Sequence, residues 1–268
     1  VITNKKFHAS TKIEDVVPNS NVILLSLPTP MNNQNTPDYS ALKSVARQLG
    51  DLLEFNSLVV VESTIEPGFV ENELIQIIES GKKHLIAGKN FFIGVCPETA
   101  NPGEIMHDFT KLPRLVGAID EETKDKIIKL YKHVFPVELI PMPNCKTANA
   151  VKLTTNVFRD LNIAFVNQLA LLFDKLGIDT LEVLEAAKRK YNFQVHYPGP
   201  GVGGPCLPVN SYQMLNSAKQ FDSEMLSLVK IGREINESMP NYVIELIISG
   251  LKEANKQISN STILLLGI

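Results

Sequence analysis

The sequence predicts an α/β fold in two parts: a sheet of parallel strands covered by helices on both faces, then an all-α region entered through one long helix. Three observations predict it. In residues 1–143 short apolar runs alternate with helical patterns at the spacing of βα units. From 146 to 176 a single helical pattern runs without Pro or Gly. Beyond it every regular segment reads as helix until an apolar run, TILLLG, at 262–267. The same shifts divide the chain into 1–143, 144–257 and 258–268.

Taken in order, NVILLSL at 21–27 is a buried strand stopped by Pro28-Thr29-Pro30. Residues 40–55 place Leu42, Val45, Leu49, Leu52 and Leu53 at helical spacing. LVVV at 58–61 is a second strand, and 70–80 is a helix stopped by Gly81. Residues 91–95 and 114–116 are short strands, 121–135 a helix, and 137–140 a closing strand. The long helix turns an apolar set containing Val151, Val157, Leu161, Phe165, Leu169 and Leu172 to one side, and Gly177 ends it. Asp179 caps a helix over 180–190; further helices cover 211–219 and 224–249, and 262–267 begins a new strand.

Composition narrows the function. At 268 residues the chain holds one or two domains, and 44% hydrophobic residues support a packed core rather than disorder. A net charge of −3 without a dense basic cluster argues against nucleic acid. Cys96, Cys145 and Cys206 form no CxxC pair, and the five histidines are scattered, so neither a disulfide framework nor a metal site is expected. Unpaired thiols suit a reducing cytoplasm. No apolar run reaches the roughly 18 residues a membrane span needs, and the opening VITNKKFHAS lacks the apolar core of a secretory leader. Glu121-Glu122 reads as a helix N-terminal charge pair rather than a catalytic dyad.

The most informative segment is PGPGVGGPCLP at 198–208. Glycines let a ligand approach bare backbone, and the thiol of Cys206 just beyond them suggests covalent catalysis. The alternative is a structural turn followed by an inert core thiol. No G-x-G-x-x-G turn follows a strand, so the usual phosphate cradle of a dinucleotide domain is missing.

PGPGVGGPCLPVNSYQML resembles the catalytic-cysteine loop of the UDP-glucose/GDP-mannose dehydrogenase family, and its PGPGVGG form is similar to the UDP-N-acetylhexosamine branch. The resemblance runs in order through LPTP (27–30), ESTIEPG (62–68), PETANPGE (97–104), RLVGA (114–118) and KLTTNVFRDLNIAFVNQLA (152–170). It implies an incomplete Rossmann-like sheet, an all-α dimerisation domain, and the first strand of a UDP-sugar-binding domain. The chain would then be the middle of a larger enzyme, binding NAD poorly by itself. The implied reaction oxidises a UDP-sugar C6 alcohol to a carboxylate with NAD as hydride acceptor, in a homodimer.

Each demand of that chemistry finds a matching residue. Cys206 is the implied nucleophile. Lys152 and Asn156, one helical turn apart, match the KLxxN pair that stabilises the oxyanion, and Arg159 continues their face toward substrate. Glu98 matches the general base, and Gly203 lies in the substrate loop. Thr29 and Thr64 match threonines at the nicotinamide end. Departures from the family pattern are equally specific. Asn210 stands four residues after the cysteine where an aspartate is typical, Thr99 stands for an arginine, and Pro205 for a histidine. Lys190 keeps the basic character expected of a residue reaching the partner's substrate, whereas Asn192 does not. An amide at 210 can neither carry charge nor accept a proton, so slowed thioester hydrolysis is expected if the family aspartate shares in activating water. A degenerate, non-catalytic dimerisation module and a UDP-glucose 6-dehydrogenase are the alternative readings.

Overall fold

A computed structural model describes residues 7–100 and 103–266 of the chain. Five strands, β1 (Val22–Leu25), β2 (Ser57–Val61), β3 (Phe91–Val95), β4 (Arg114–Ala118) and β5 (Leu139–Pro141), form one sheet in chain order. β1, β2 and β3 are parallel, as are β4 and β5, but β4 runs antiparallel to β3. That reversal departs from the all-parallel expectation, and the connection explains it. Among the described residues between β3 and β4 the one helix is α3 (Ile105–Lys111), seven residues and so roughly 10 Å long. A parallel return needs a crossover element long enough to carry the chain back along the sheet.

β2 and β3 are buried at every position, as their runs SLVVV and FFIGV require. β1 is not the buried strand expected: it pairs only with β2, and Val22 and Leu24 are 38% and 49% exposed. The run at 262–267 was also expected to be a strand. Over 262–266 the chain makes no strand pairing, and Leu264 and Leu266 are 78% and 86% exposed. An extended apolar run becomes a strand only where a neighbour supplies ladder hydrogen bonds. Gly267 lies outside the described residues.

One face of the sheet is covered by α1 (Ser40–Leu52) and by a π-helical turn (Val70–Leu74) running into α2 (Ile75–Glu79). α1 and α2 touch backbone to backbone, since a Cβ on Gly50 would come within 2.4 Å of the Ile78 carbonyl. α4 (Glu121–Val134) covers the other face through Ile127 and Tyr131. Asp120 caps it, and Glu121 and Glu122 sit in its first turn paired to Lys124 and Lys126.

α5 (Cys145–Leu176) begins with an Asn144 cap and ends at Gly177, whose φ of 67° is left-handed. Against it pack α6 (Thr180–Ala187), capped by Asp179, then α7 (Leu207–Lys219) and α8 (Ser227–Glu253). The buried face of α5 differs from the predicted apolar set. Leu153, Val157 and Ala164 are buried together with Asn149, Asp160 and Asn167, whereas Phe165 and Leu172 are each 51% exposed. Asp160 and Asn167 are buried because they hold α8, the start of α7 and the glycine loop, whereas the Asn149 amide is buried without a hydrogen-bond partner among the described residues. Arg233 Nη1 donates to Asp160 Oδ1 at 2.9 Å, Ser211 Oγ to Asp160 Oδ2 at 2.6 Å, and Asn236 Nδ2 to Asp160 Oδ1 at 2.8 Å. Asn167 donates to Asn236 and accepts from the Gly199 amide.

α7 starts at Leu207, four residues before the predicted start. Pro208 was read as the end of the loop, yet it sits in the first turn of the helix, where its missing N–H costs no intrahelical bond. Pro240 lies inside α8 and cannot bond the carbonyl of Asn236. Gly201 (φ 115°) packs against that carbonyl, to which a Cβ would approach within 2.7 Å.

Candidate active site

The carboxyl ends of β1, β2 and β3 face the start of α7 across a cleft of about 270 Å³. Thr29, Thr64 and Glu98 line it from the strand ends, Lys152 from α5, and Cys206 and Asn210 from α7. Six of the residues singled out in the sequence therefore meet in one cavity.

Each is placed by its element. Cys206 is the N-cap residue of α7, exposed, and its side chain makes no capping bond. The positive end of the helix lies beside the sulfur and favours negative charge there. Lys152 is held down by packing: burial pushes its pKa below the ordinary lysine range, while the Glu98 carboxylate and the Cys206 sulfur pull it back up. An ammonium so placed favours negative charge in the part of the cleft it shares with the sulfur. Glu98 follows β3 and Pro97, with its N–H on the Glu62 carbonyl and its carboxylate accepting from the Ala100 amide. Thr29 Oγ1 donates to the Thr64 carbonyl at 2.9 Å, tying the ends of β1 and β2 together.

The other candidates lie outside the cleft lining. Asn156 stands behind it, donating from Nδ2 to Asn210 Oδ1. Arg159 and Lys190 are exposed, as is Gly203, and Thr99 is half-buried beside Glu98. Cys96 and Cys145 are fully buried, and burial raises both thiols, for Cys96 against the pull of Arg114, whose Nε donates to its sulfur at 3.4 Å.

Gln213 was missed. It is fully buried on α7, accepts from Asn210 Nδ2 at 2.9 Å and donates to the Thr64 carbonyl at 3.0 Å. The signal was its place seven residues after Cys206 and three after Asn210, on one helical face, but the start of α7 had been set too late to show it. Among the described residues one His/carboxylate group, Glu104, His107 and Asp108, comes close enough to share an ion, and it lies apart from the cleft lining.

The sheet and its helical layers are those of Rossmann-like dehydrogenases. Residues 1–135 match the NAD binding domain of the UDP-glucose/GDP-mannose dehydrogenase family and residues 146–238 its central domain, and the chain belongs to that family. It is 34% identical to a UDP-N-acetyl-D-mannosamine dehydrogenase of Pyrococcus horikoshii over 100% of this chain and 62% of the relative. It is 32% identical to a UDP-N-acetyl-D-glucosamine 6-dehydrogenase of Salmonella typhi over 92% of this chain and 57% of the relative. The solved structure of the UDP-D-ManNAc dehydrogenase from Pyrococcus horikoshii superimposes with a TM-score of 0.88 at 33% identity, covering 95% of this chain and 59% of that one. The chain thus spans about three-fifths of the length of the relatives it matches. No helix among the described residues is long and apolar enough to cross a membrane.

Proposed function

We propose that the protein carrying this chain oxidises the C6 alcohol of a UDP-sugar to the carboxylate in two NAD-dependent steps, with Cys206 as covalent nucleophile. The observation that carries this reading is the convergence of Cys206, Lys152 and Glu98 on one strand-end cleft. The two relatives named above act on UDP-N-acetylhexosamines by their names, which favours that substrate class, and UDP-glucose is the alternative.

Leu27, Pro28, Thr29 and Thr64 make a mainly apolar wall with hydroxyls at the strand ends, which suits the nicotinamide end of NAD. Bound there, NAD supplies the hydride acceptor for both oxidations. The remaining work falls to the chain. The first oxidation converts the alcohol to an aldehyde. The Cys206 thiolate adds to that carbonyl carbon, and Lys152 and the second N–H of Asn156 stabilise the resulting oxyanion. Loss of a second hydride yields a thioester. Glu98 then takes a proton from water as the water attacks the acyl carbon, the C–S bond breaks and the thiolate leaves. Asn210 lines the cleft and braces Asn156 but cannot take a proton from water. Arg159, Lys190, Gly203 and Thr99 are proposed to contact substrate at the margins.

The exposed face of α5, with Phe158, Phe165, Leu172 and Leu176 all at least half exposed, is proposed as the surface of a homodimer. The three unpaired thiols fit a cytoplasmic protein. One observation favours a second reading, a catalytically impaired relative: the amide of Asn210 stands where a carboxylate would assist hydrolysis. The test is NADH release by the natural full-length protein with UDP-N-acetylmannosamine, UDP-N-acetylglucosamine and UDP-glucose. Two NADH per sugar with continuing turnover support the enzyme, a burst of about two NADH per Cys206 that stalls with acyl-protein accumulating supports impairment, and none with any sugar overturns both.

A further inference from the structure

We propose that Gln213 is a positioning residue: it fixes the direction of the Asn210 and Asn156 side-chain amides and thereby locks the start of α7, with Cys206, against the Thr64 edge. The proposal rests on the dehydrogenase reading above.

The Thr64 carbonyl oxygen can only accept, and it accepts from Thr29 Oγ1 at 2.9 Å and from Gln213 Nε2 at 3.0 Å. Gln213 must therefore turn its Nε2 to Thr64 and its Oε1 to Asn210. Asn210 must answer with Nδ2, which it does at 2.9 Å. That leaves Asn210 Oδ1 facing Asn156, which must in turn offer Nδ2. A backbone carbonyl at the end of β2 thus dictates how Asn156 on α5 is presented, through two side chains of α7. Among the described residues Asn156 retains an uncommitted N–H and its Oδ1, the groups available to a reacting oxygen or water.

The two α7 members of the relay are buried. Gln213 is 0% and Asn210 3% exposed, so water does not substitute for a lost partner. It is also braced further along α7, where Asn216 Nδ2 donates to Glu66 Oε2 at 2.9 Å. Cys206, Asn210 and Gln213 fall on one face of α7, so a shift at residue 213 moves the cap residue that carries the thiol. This arrangement gives the amide at 210 a purpose that a proton carrier would not serve.

The experiment compares Gln213→Leu and Gln213→Glu with wild type. Leucine keeps the volume and removes both bonds. Glutamate keeps the shape, but as a carboxylate it sets acceptor against the Thr64 acceptor. Protonated, it offers an O–H to Thr64 and a carbonyl to Asn210, reproducing the amide. The Gln213→Glu protein should therefore work at pH values below the pKa of the introduced carboxyl and fail as pH rises through it. The groups facing this position are Tyr39 from the start of α1 and Glu66 from the β2–α2 connection, with Lys43 and Glu73 behind them, and Lys152 and Glu98 across the cleft. All are present in the three proteins, so the difference between pH profiles isolates residue 213.

With the full-length protein and its best UDP-sugar, kcat near pH 8 should fall about tenfold in both variants, the scale of one misplaced buried hydrogen bond, while KM changes less than about twofold. Near pH 6 the glutamate variant should recover toward wild type and the leucine variant should not. A glutamate variant with the wild-type kcat and profile, or variants that lose melting temperature alone, would overturn the proposal. If wild type oxidises no UDP-sugar, the dehydrogenase reading fails separately, and the rate of Cys206 alkylation by iodoacetamide becomes the readout. Cys96 and Cys145 are fully buried, and peptide mapping of the label assigns it to Cys206. A Gln213→Glu rate that departs from wild type at pH 8 and returns to it near pH 6 supports the lock, and equal rates at both pH values overturn it.

Discussion

Asp160 on α5 and Arg233 on α8 form an ion pair of 2.9 Å in which the side chains are 2% and 3% exposed. The same carboxylate accepts from Ser211 on α7 and from Asn236, so one residue ties together the three helices that carry the glycine loop and the thiol. The pair positions the active site rather than serving as a simple source of stability, because desolvating both ions offsets much of their attraction.

Removing one partner is a different matter, since it strands the other charge in a dry site. Asp160→Ala is expected to cost about 3–5 kcal/mol, read as a lowered denaturant midpoint. Asp160→Asn, which retains an acceptor for Ser211, should cost less.

Lys152 sets function against stability. Its pKa is depressed chiefly by burial, so the unfolded chain holds this proton more tightly than the folded one, and stability rises with pH as pH passes from the folded pKa toward the unfolded one. Below that window the buried charge is a cost. Lys152→Met should abolish turnover while leaving the melting temperature unchanged or raised, by about 2–4 °C for each kcal/mol of desolvation relieved.

The apolar stripe on α5 makes a prediction about assembly. Phe165→Glu, placed on a half-exposed position, should convert a dimer to monomer in sedimentation velocity without unfolding the chain. A wild-type protein that is already monomeric at micromolar concentration would remove the dimer from the proposal.

Much of this was legible in the chain. The five strands followed from short apolar runs, and the long helix from its lack of Pro and Gly. The Asp179 cap and the Gly177 stop came from residue type alone. Glu98, Lys152 and Cys206 were found by motif, and the fold brings them to one cleft. What stayed hidden depended on partners. The exposure of β1 follows from its place at the sheet edge and the reversal of β4 from the shortness of α3, while burial of Asp160 and Asn167 follows from the ions and amides of α8. Pro208 misled because proline reads as a breaker wherever a first helical turn is not already suspected.

Cys206 is the central claim, and intact-protein mass spectrometry tests it most directly. A Glu98→Gln variant of the full-length protein, given NAD and a UDP-N-acetylhexosamine, should retain thioester because the base that activates water is gone. The account predicts a covalent gain equal to the sugar nucleotide less four hydrogens, mapped to Cys206 and absent from Glu98→Gln/Cys206→Ala. Oxidation of the sugar with no adduct, or an adduct that survives replacement of Cys206, would contradict it.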